Sequence, residues 1–423
     1  MFVLYNVLQF AFLLVFSPLL TLFVACNNKY RDRIPARLGL GITKRLACRR
    51  ATARTIWVHA LSVGEVTSAV PLIRGLRLKY PTDRIVVSVT TRSGKKVADT
   101  LLRSYADCII DGPIDLLPVV RHFIRVIRPE LFILVETDFW PNLLLCLKNK
   151  RIPSILVNGR VSEKSMIRYQ QLRFFFRPMF QCFSSLSMQT LRDKEKMTLL
   201  GISPEKLSIL GNLKFAARPQ MSTDSLSLLA GSLPKDRILF IAGSTHPGEE
   251  QTLIDVYAQL RTTHPDLFLM LAPRDPKRAE EIVNLATKRG LLASLRSAGV
   301  FIPCDLFILD TIGELVDFYA LADLAFIGGS LVDKGGHNPI EPAAMAIPVL
   351  FGPHMEDFSE IAASLIKAKG AEEVDDGWKM VKVLAKLLND SDRRTRMGQA
   401  AQQCVLEQHD IIDNHLLLIE EFL

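Results

Sequence analysis

No Cys-x-x-Cys pair occurs in this chain, and its seven cysteines stand apart at 26, 48, 108, 146, 182, 304 and 404. That spacing supports neither a zinc site nor a disulfide framework, and it suits a reducing compartment. Low-complexity tracts are missing, as is any repeat of solenoid period, so a tandem array is excluded. Residues 1–28 carry no charged side chain at all, and most are apolar. A helix needs roughly 20 such residues to cross a bilayer. A cleaved signal peptide is the competing reading, but the amino end lacks a basic region and no small-x-small site precedes a polar start. Pro18 kinks such a helix without forbidding it.

Acid is almost missing from the next stretch. Residues 29–54 hold nine Lys or Arg against one acid, Asp32, a net charge equal to the +8 of the whole chain. Everything after Arg54 is therefore neutral in sum, and the high pI is a local property. A polybasic segment beside an apolar helix faces the cytoplasm and is drawn to anionic headgroups. Basic residues interleaved with aromatics are not found in the body, which argues against nucleic-acid binding.

From Thr55 onward, short apolar runs alternate with amphipathic stretches of helical length, the pattern of repeated βα units. One set comprises Ile56–Ala60, Ile85–Val89, Cys108–Ile110, Leu131–Val135 and Ile155–Val157. A second comprises Leu207–Leu210, Ile238–Ala242, Leu267–Leu271, Val300–Ile302 with Phe307–Leu309, Leu324–Ile327 and Val349–Phe351. At 423 residues two domains are the natural expectation. The pattern predicts an α/β protein of two doubly wound, Rossmann-like domains facing a cleft. Its parts are an anchor over 1–28, a basic segment over 29–54, a first domain over 55–215, a linker over 216–235 and a second domain over 236–423. The last helix has the option of packing back on the first domain. Ligands should sit beyond the carboxyl ends of the strands.

The most informative motif follows the run ending at Ile327: Gly328-Gly329-Ser330-Leu331-Val332-Asp333-Lys334-Gly335-Gly336-His337-Asn338-Pro339-Ile340-Glu341-Pro342. Strand, glycine-rich loop and helix start make a place where backbone amides approach a phosphate. Asn338 suits an N-cap, Pro339 the first helical position, and Glu341 either completes a capping box or accepts from a ribose diol. Three more loops of this kind follow strands in the second half. Ser244-Thr245-His246 offers hydroxyls and amides, Pro273-Arg274 a planar fork for phosphate or a pyrimidine carbonyl, and Ile312-Gly313-Glu314 a close backbone approach. Four such loops in one domain favour the ribose role for Glu341.

In the first half, His59-Ala60-Leu61-Ser62-Val63-Gly64-Glu65 ends a strand, with Gly64 read as a tight turn leaving Glu65 at a helix start facing the cleft. Burial there would push its pKa toward the range a general base needs. Glu136-x-Asp138 has a metal-like spacing, although Trp140-Pro141 opening a helix is a simpler account. Gly211-Asn212-Leu213-Lys214 stands at the start of the second half, from where Lys214 can reach a leaving phosphate.

Assembled, these motifs resemble the Kdo (3-deoxy-D-manno-oct-2-ulosonate) transferases of lipopolysaccharide assembly, over nearly the full length. The resemblance rests on His59-x-x-Ser62-Val63-Gly64-Glu65, Glu136-Thr137-x-x-Trp140-Pro141-Asn142, Gly211-x-Leu213-Lys214, Ser244-Thr245-His246-x-Gly248-Glu249-Glu250 and Gly335-Gly336-His337-Asn338-Pro339-x-Glu341-Pro342. It implies an inverting glycosyltransferase of the two-Rossmann-domain (GT-B) type at the inner membrane, catalytic domains on the cytoplasmic side of a single-pass anchor. CMP-Kdo is the implied donor, a lipid A precursor (lipid IVA) the acceptor, and no metal or other cofactor is required. Residue by residue, it makes Glu65 the proton acceptor and assigns Glu136 and Lys214 to transition-state stabilisation. CMP contacts fall on Pro273, Arg274, Ile312, Gly313, Glu314, Asn338, Pro339, Ile340 and Glu341, with Ser244, Thr245, His246, Gly336 and His337 as additional donor-site candidates. Asp138, where Glu is usual, and Asp275, where His is expected, depart from the family pattern. A UDP-sugar transferase and a non-catalytic nucleotide-sugar scaffold are the alternatives.

Overall fold

The computed structural model describes residues 2–27, 31, 33–46, 54–216, 237–299, 304–407 and 410–423. After helix α1 (Phe2–Cys26), the chain builds β1 (Thr55–Ala60), α2 (Val63–Lys79), β2 (Arg84–Val89), β3 (Cys108–Asp111), α3 (Leu117–Ile127), β4 (Leu131–Val135), α4 (Pro141–Asn149), β5 (Ser154–Gly159), β6 (Ser185–Met188) and β7 (Leu207–Ile209). These strands form a parallel sheet in the order β3-β2-β1-β4-β5-β6-β7. β8 (Ile238–Thr245), α5 (Glu249–Leu260), β9 (Leu267–Pro273), β10 (Ala293–Leu295), β11 (Leu306–Ile308), α6 (Leu315–Tyr319), β12 (Leu324–Ile327), α7 (Ile340–Ala344), β13 (Val349–Phe351) and β14 (Ala371–Glu373) follow. Their sheet runs β10-β11-β9-β8-β12-β13-β14, again parallel. Every residue of β1, β2, β4 and β12 is buried, as expected of strands covered on both faces. In each sheet the order reverses beside the first strand, between β1 and β4 and between β8 and β12.

Contacts divide the chain into two units, Met1–Ala217 with His409–Leu423, and Arg218–Gln408. Two sequence expectations change here. The run at Leu207, grouped above with the second set of strands, belongs to the first sheet, as β7 beside β6, and Gly211–Lys214 lies in the first unit. β6 escapes a hydrophobic reading because its four residues, Ser-Leu-Ser-Met, alternate with serine. The run at Val300–Ile302 and most of the linker read over 216–235 lie outside the described residues.

Helix α8 (Ile411–Glu420) returns to the first unit and packs on α2. Gly75 permits the approach, since a Cβ there would stand 3.0 Å from Leu416 and 3.1 Å from Ile412. His415, fully buried, receives a hydrogen bond from Ser187 at 3.0 Å and donates Nδ1–H to the Ile411 carbonyl at 2.7 Å.

The basic segment is partly structural. Asp111 is buried and takes Arg33 and Arg45, each at 3.2 Å, together with Lys95. Arg37 donates to the Gly112 carbonyl at 3.1 Å, and Arg54 pairs with Asp83 at 3.0 Å. These arginines hold the chain to its own body, so the +8 overstates what reaches a membrane. The amino end of α1 is also tied down. Tyr5 donates to Asp115 at 3.0 Å, Asn6 and Asn142 exchange hydrogen bonds at 2.7 and 3.1 Å, and Gln9 donates to the Asp115 carbonyl at 3.1 Å. Beyond Gln9, Phe10, Phe12, Leu14, Val15 and Leu19 are exposed.

Leu416→Ala should destabilise the protein by about 2–4 kcal/mol, the usual cost of emptying a packed leucine site. Urea unfolding measures it, and an unchanged midpoint would mean that α8 is not seated on α2.

Candidate active site

In the first unit the loop after β1 enters α2 through Ser62, whose hydroxyl accepts the Glu65 N–H at 3.5 Å. Val63 and Gly64 already belong to the helix, and Gly64 is not left-handed, so the tight-turn reading of Gly64 is corrected. Glu65 is the third helical residue. Its side chain turns back, accepting from the Leu61 N–H at 2.5 Å and the Thr137 hydroxyl at 2.5 Å. The carboxyl is thus held between the loops after β1 and β4 and is 4% exposed. Burial pushes its pKa up to about 7; the Thr137 and Leu61 hydrogen bonds oppose this, and the charges of Glu136 and Asp138 assist it.

The loop after β4 is strained. Glu136 and Asp138 have φ of 58° and 75°, a left-handed backbone costing a non-glycine residue about 1–3 kcal/mol. Side-chain bonds hold it there. Glu136 accepts from Ser68 at 3.1 Å and from Asn158 at 2.7 Å. Asp138 accepts from Thr90 at 2.7 Å and from His59 at 2.9 Å. Trp57 donates to Ser88 at 2.7 Å, and Ser88 lies 2.6 Å from His59 Nδ1. His59 Nε2 faces the Asp138 carboxylate, which can only accept, and so carries a ring hydrogen. Against the cost of burial, the bonds from His59 and Thr90 keep the Asp138 carboxyl below its ordinary range.

Asn158 is a connector that sequence reasoning missed. Itself left-handed at φ 58°, it donates to Glu136 and accepts the Leu213 N–H at 2.9 Å. Gln189 donates to the Asn158 carbonyl at 3.0 Å and accepts from Asn212 at 3.1 Å. Through this relay the loop carrying Lys214 is bonded to Glu136. The available signal was a lone Asn directly after the apolar run Ile155–Val157.

In the second unit the loops after β8 and β12 lie against each other. A Cβ on Gly328 would stand 2.3 Å from the Ser244 carbonyl oxygen, so glycine is required there. The two loops share one buried anion of the protein's own. Glu249 accepts the N–H groups of His246 at 2.8 Å, Gly329 at 2.7 Å, Ser330 at 3.0 Å and Leu331 at 3.0 Å. This corrects the phosphate-cradle reading of the glycine loop, because amides 329–331 are already bound. Glu250, also buried, pairs with Arg278 at 2.7 Å.

The capping reading of Glu341 is corrected too. Helix α7 begins at Ile340, with Pro339 rather than Asn338 at the N-cap, and no side chain caps it. Asn338 accepts from the Ile340 N–H at 3.1 Å and donates to Glu341 at 3.2 Å. Burial raises the Glu341 pKa, while Asn338 and the Arg274 charge lower it. Arg274 follows β9, and its own N–H donates to the Thr245 carbonyl at 3.0 Å. His337 and His246 are joined Nε2 to Nε2 at 2.9 Å. Burial, Arg274 and His246 push His337 down to about 4. Gly313 has φ 99° with open space around it, Ile312 is exposed, and Glu314 pairs with Arg296 at 2.8 Å. Helix α6, which this loop starts, places Tyr319 where a Cβ on Gly243 would meet its hydroxyl. Asp333, His354 and Glu356 bring three ligand-type atoms within 4.8 Å at the surface, a grouping that exposed acids commonly form without an ion.

Two parallel seven-stranded sheets, each with a buried glutamate just beyond the strand beside which the order reverses, are those of a GT-B fold. A glycosyltransferase from Rickettsia africae shares the fold at TM-score 0.59 and 12% identity, over 88% of this chain and 99% of that one. The UDP-GlcNAc 2-epimerase of Neisseria meningitidis does so at TM-score 0.58 and 12% identity, over 84% and 99%. The family model for 3-deoxy-D-manno-octulosonic-acid transferase matches residues 32–217. The 3-deoxy-D-manno-octulosonic acid transferase of Haemophilus influenzae is 32% identical over 425 residues, covering 97% of each chain. The chain belongs to the 3-deoxy-D-manno-octulosonic acid transferase family.

Two outcomes follow from the buried glutamates. A carboxyl raised from 4.5 to about 7 keeps its proton longer in the folded state, so its stabilisation is complete below 4.5 and lost as pH rises through 7. The stability difference between pH 4 and pH 8 should therefore shrink in Glu65→Gln by up to roughly 3 kcal/mol, read from urea curves at both pH values. Glu249→Ala strips the acceptor from four N–H groups and should cost at least about 3 kcal/mol. A loss under about 1 kcal/mol would mean that those amides are open to an outside anion after all.

Proposed function

We propose that this enzyme transfers Kdo from CMP-Kdo to a lipid A precursor, lipid IVA, in one displacement that inverts the anomeric centre. The observation that carries the reading is the Glu65 carboxyl. It sits where the first sheet reverses, anchored by the Leu61 N–H and Thr137, with a pKa of about 7. A base poised near the working pH removes the acceptor hydroxyl proton efficiently. Glu136, fixed by Ser68 and Asn158, and Lys214, on the loop bonded to Asn158, stabilise charge in the transition state. In the second unit, the Pro273-Arg274 turn, Ile312–Glu314 and Asn338–Glu341 hold CMP, with the half-buried Glu341 carboxylate facing the ribose. No metal takes part in this reading; in the second unit the charge that grows on the departing phosphate is met by Arg274.

Attachment to the cytoplasmic face of the inner membrane is part of the proposal. The apolar α1 supplies the insertion and the basic character of residues 29–54 supplies attraction to anionic lipid. Two observations favour insertion from one side over a full crossing. Tyr5, Asn6 and Gln9 are bonded to the first unit, and so is Arg33, which donates to the Thr90 carbonyl at 2.6 Å. The seven residues from Cys26 to Arg33 span at most about 25 Å, too short to recross a hydrocarbon core of about 30 Å.

Single-turnover transfer with saturating CMP-Kdo and lipid IVA tests the chemistry. Glu65→Gln should slow transfer by about 10²–10⁴-fold while CMP binding persists. Near-normal transfer would end the general-base assignment. CMP should raise the thermal midpoint and UMP much less, and equal shifts would favour a UDP-sugar enzyme instead.

A further inference from the structure

With amides 329–331 bound to Glu249, the second unit must meet a donor phosphate with other groups. Three side chains are placed to do so: Arg274, whose charge acts on both His337 and Glu341, and the two histidines. His246 and His337 come from the two loops that Glu249 joins, and neither is fully buried. Their rings are nearly parallel, and a Cβ on Gly329 would stand 3.3–3.4 Å from both, so glycine at 329 lets the backbone lie against the pair. A 2.9 Å Nε2–Nε2 contact holds one hydrogen: one ring donates and the other accepts. Taking up one more proton converts the donor ring to an imidazolium without breaking that bond, and a charge-assisted bond is the stronger one. Arg274 acts on His337 and also on Glu341, whose carboxyl is held by Asn338, and Glu249 on α5, which takes the His246 N–H, has its oxygens filled by four N–H groups. Beside Arg274 a second cation is disfavoured until an anion arrives.

We propose that His246 and His337 form the phosphate-facing pair of the donor site, and that they take up a proton when a phosphate-bearing cytidine nucleotide binds. The idea rests on the donor-site reading above and adds what that reading lacks, a cation that appears only with the ligand. Affinity should then fall as pH rises, and the proton gained stands beside the phosphate on which charge grows during transfer.

Calorimetric titration of the full chain with CMP and with cytidine, in two buffers of different ionisation enthalpy, counts the protons. At pH 7.5 the CMP phosphate, with a second pKa of about 6, is already a dianion and contributes little. CMP binding should take up on the order of half to one proton and cytidine none. His337→Asn and His246→Gln should each abolish the uptake and weaken CMP by about 10- to 100-fold. Should one variant fail to fold, the other still gives the readout. CMP binding without proton uptake, or uptake kept in both variants, overturns the pair while leaving the donor site standing. If CMP does not bind the parent protein at all, the donor-site reading falls with it.

Discussion

The architecture depends on a constraint of parallel sheets: where the strand order reverses, the connections on either side of the reversal leave in opposite directions. Beside β1 and β4, and again beside β8 and β12, the departing loops leave polar backbone and side chains at the carboxyl ends of buried strands. Nothing in the sheets themselves can satisfy those groups. The loops must do it, and each unit has found a different solution with a buried glutamate.

Glu249 and Glu65 make the contrast plain. Both occupy the first turn of a helix that follows the first strand of a sheet, and both are buried. Glu249 receives four N–H groups and closes the space between two loops. Glu65 receives one N–H and one hydroxyl, and two further carboxylates lie close by. Donor count separates a structural anion from a chemical one. The Glu249 oxygens are occupied by four N–H groups, whereas Glu65, poorly solvated and flanked by like charge, holds its proton up to about pH 7.

Much of this was legible in the sequence, and the failures are physical ones. Strands with continuous apolar runs, such as Leu131–Val135, could be read because burial on both faces leaves no polar alternation. β6 could not, being half serine, and β7 was given to the wrong sheet because linear order does not reveal which edge a strand joins. Glu65 was identifiable from its place at a strand end, but its partner Thr137 lies 72 residues away and no local pattern announces it. The glycine loop misled for a related reason. Amides built to receive an anion look the same in sequence whether the anion is a ligand or a glutamate of the chain itself. Asn158 left only one polar letter after an apolar run, too little to show that it joins Glu136 to the Lys214 loop.

The return of α8 to α2 has a consequence for how the molecule is made. The chain leaves the first unit near Ala217 and re-enters it at His409, so the second unit is, in chain order, an insertion within the first. During synthesis all seven strands of the second sheet leave the ribosome before α8 exists. Until then Gly75 faces no helix, and Ser187 has no His415 to bond. Domains emerging from the ribosome generally fold as units, amino-terminal first. Here that order is inverted for completion: the unit that begins first is the last to close, and it waits with an apolar helix face uncovered. An early translational stop would thus harm the first unit as surely as the second.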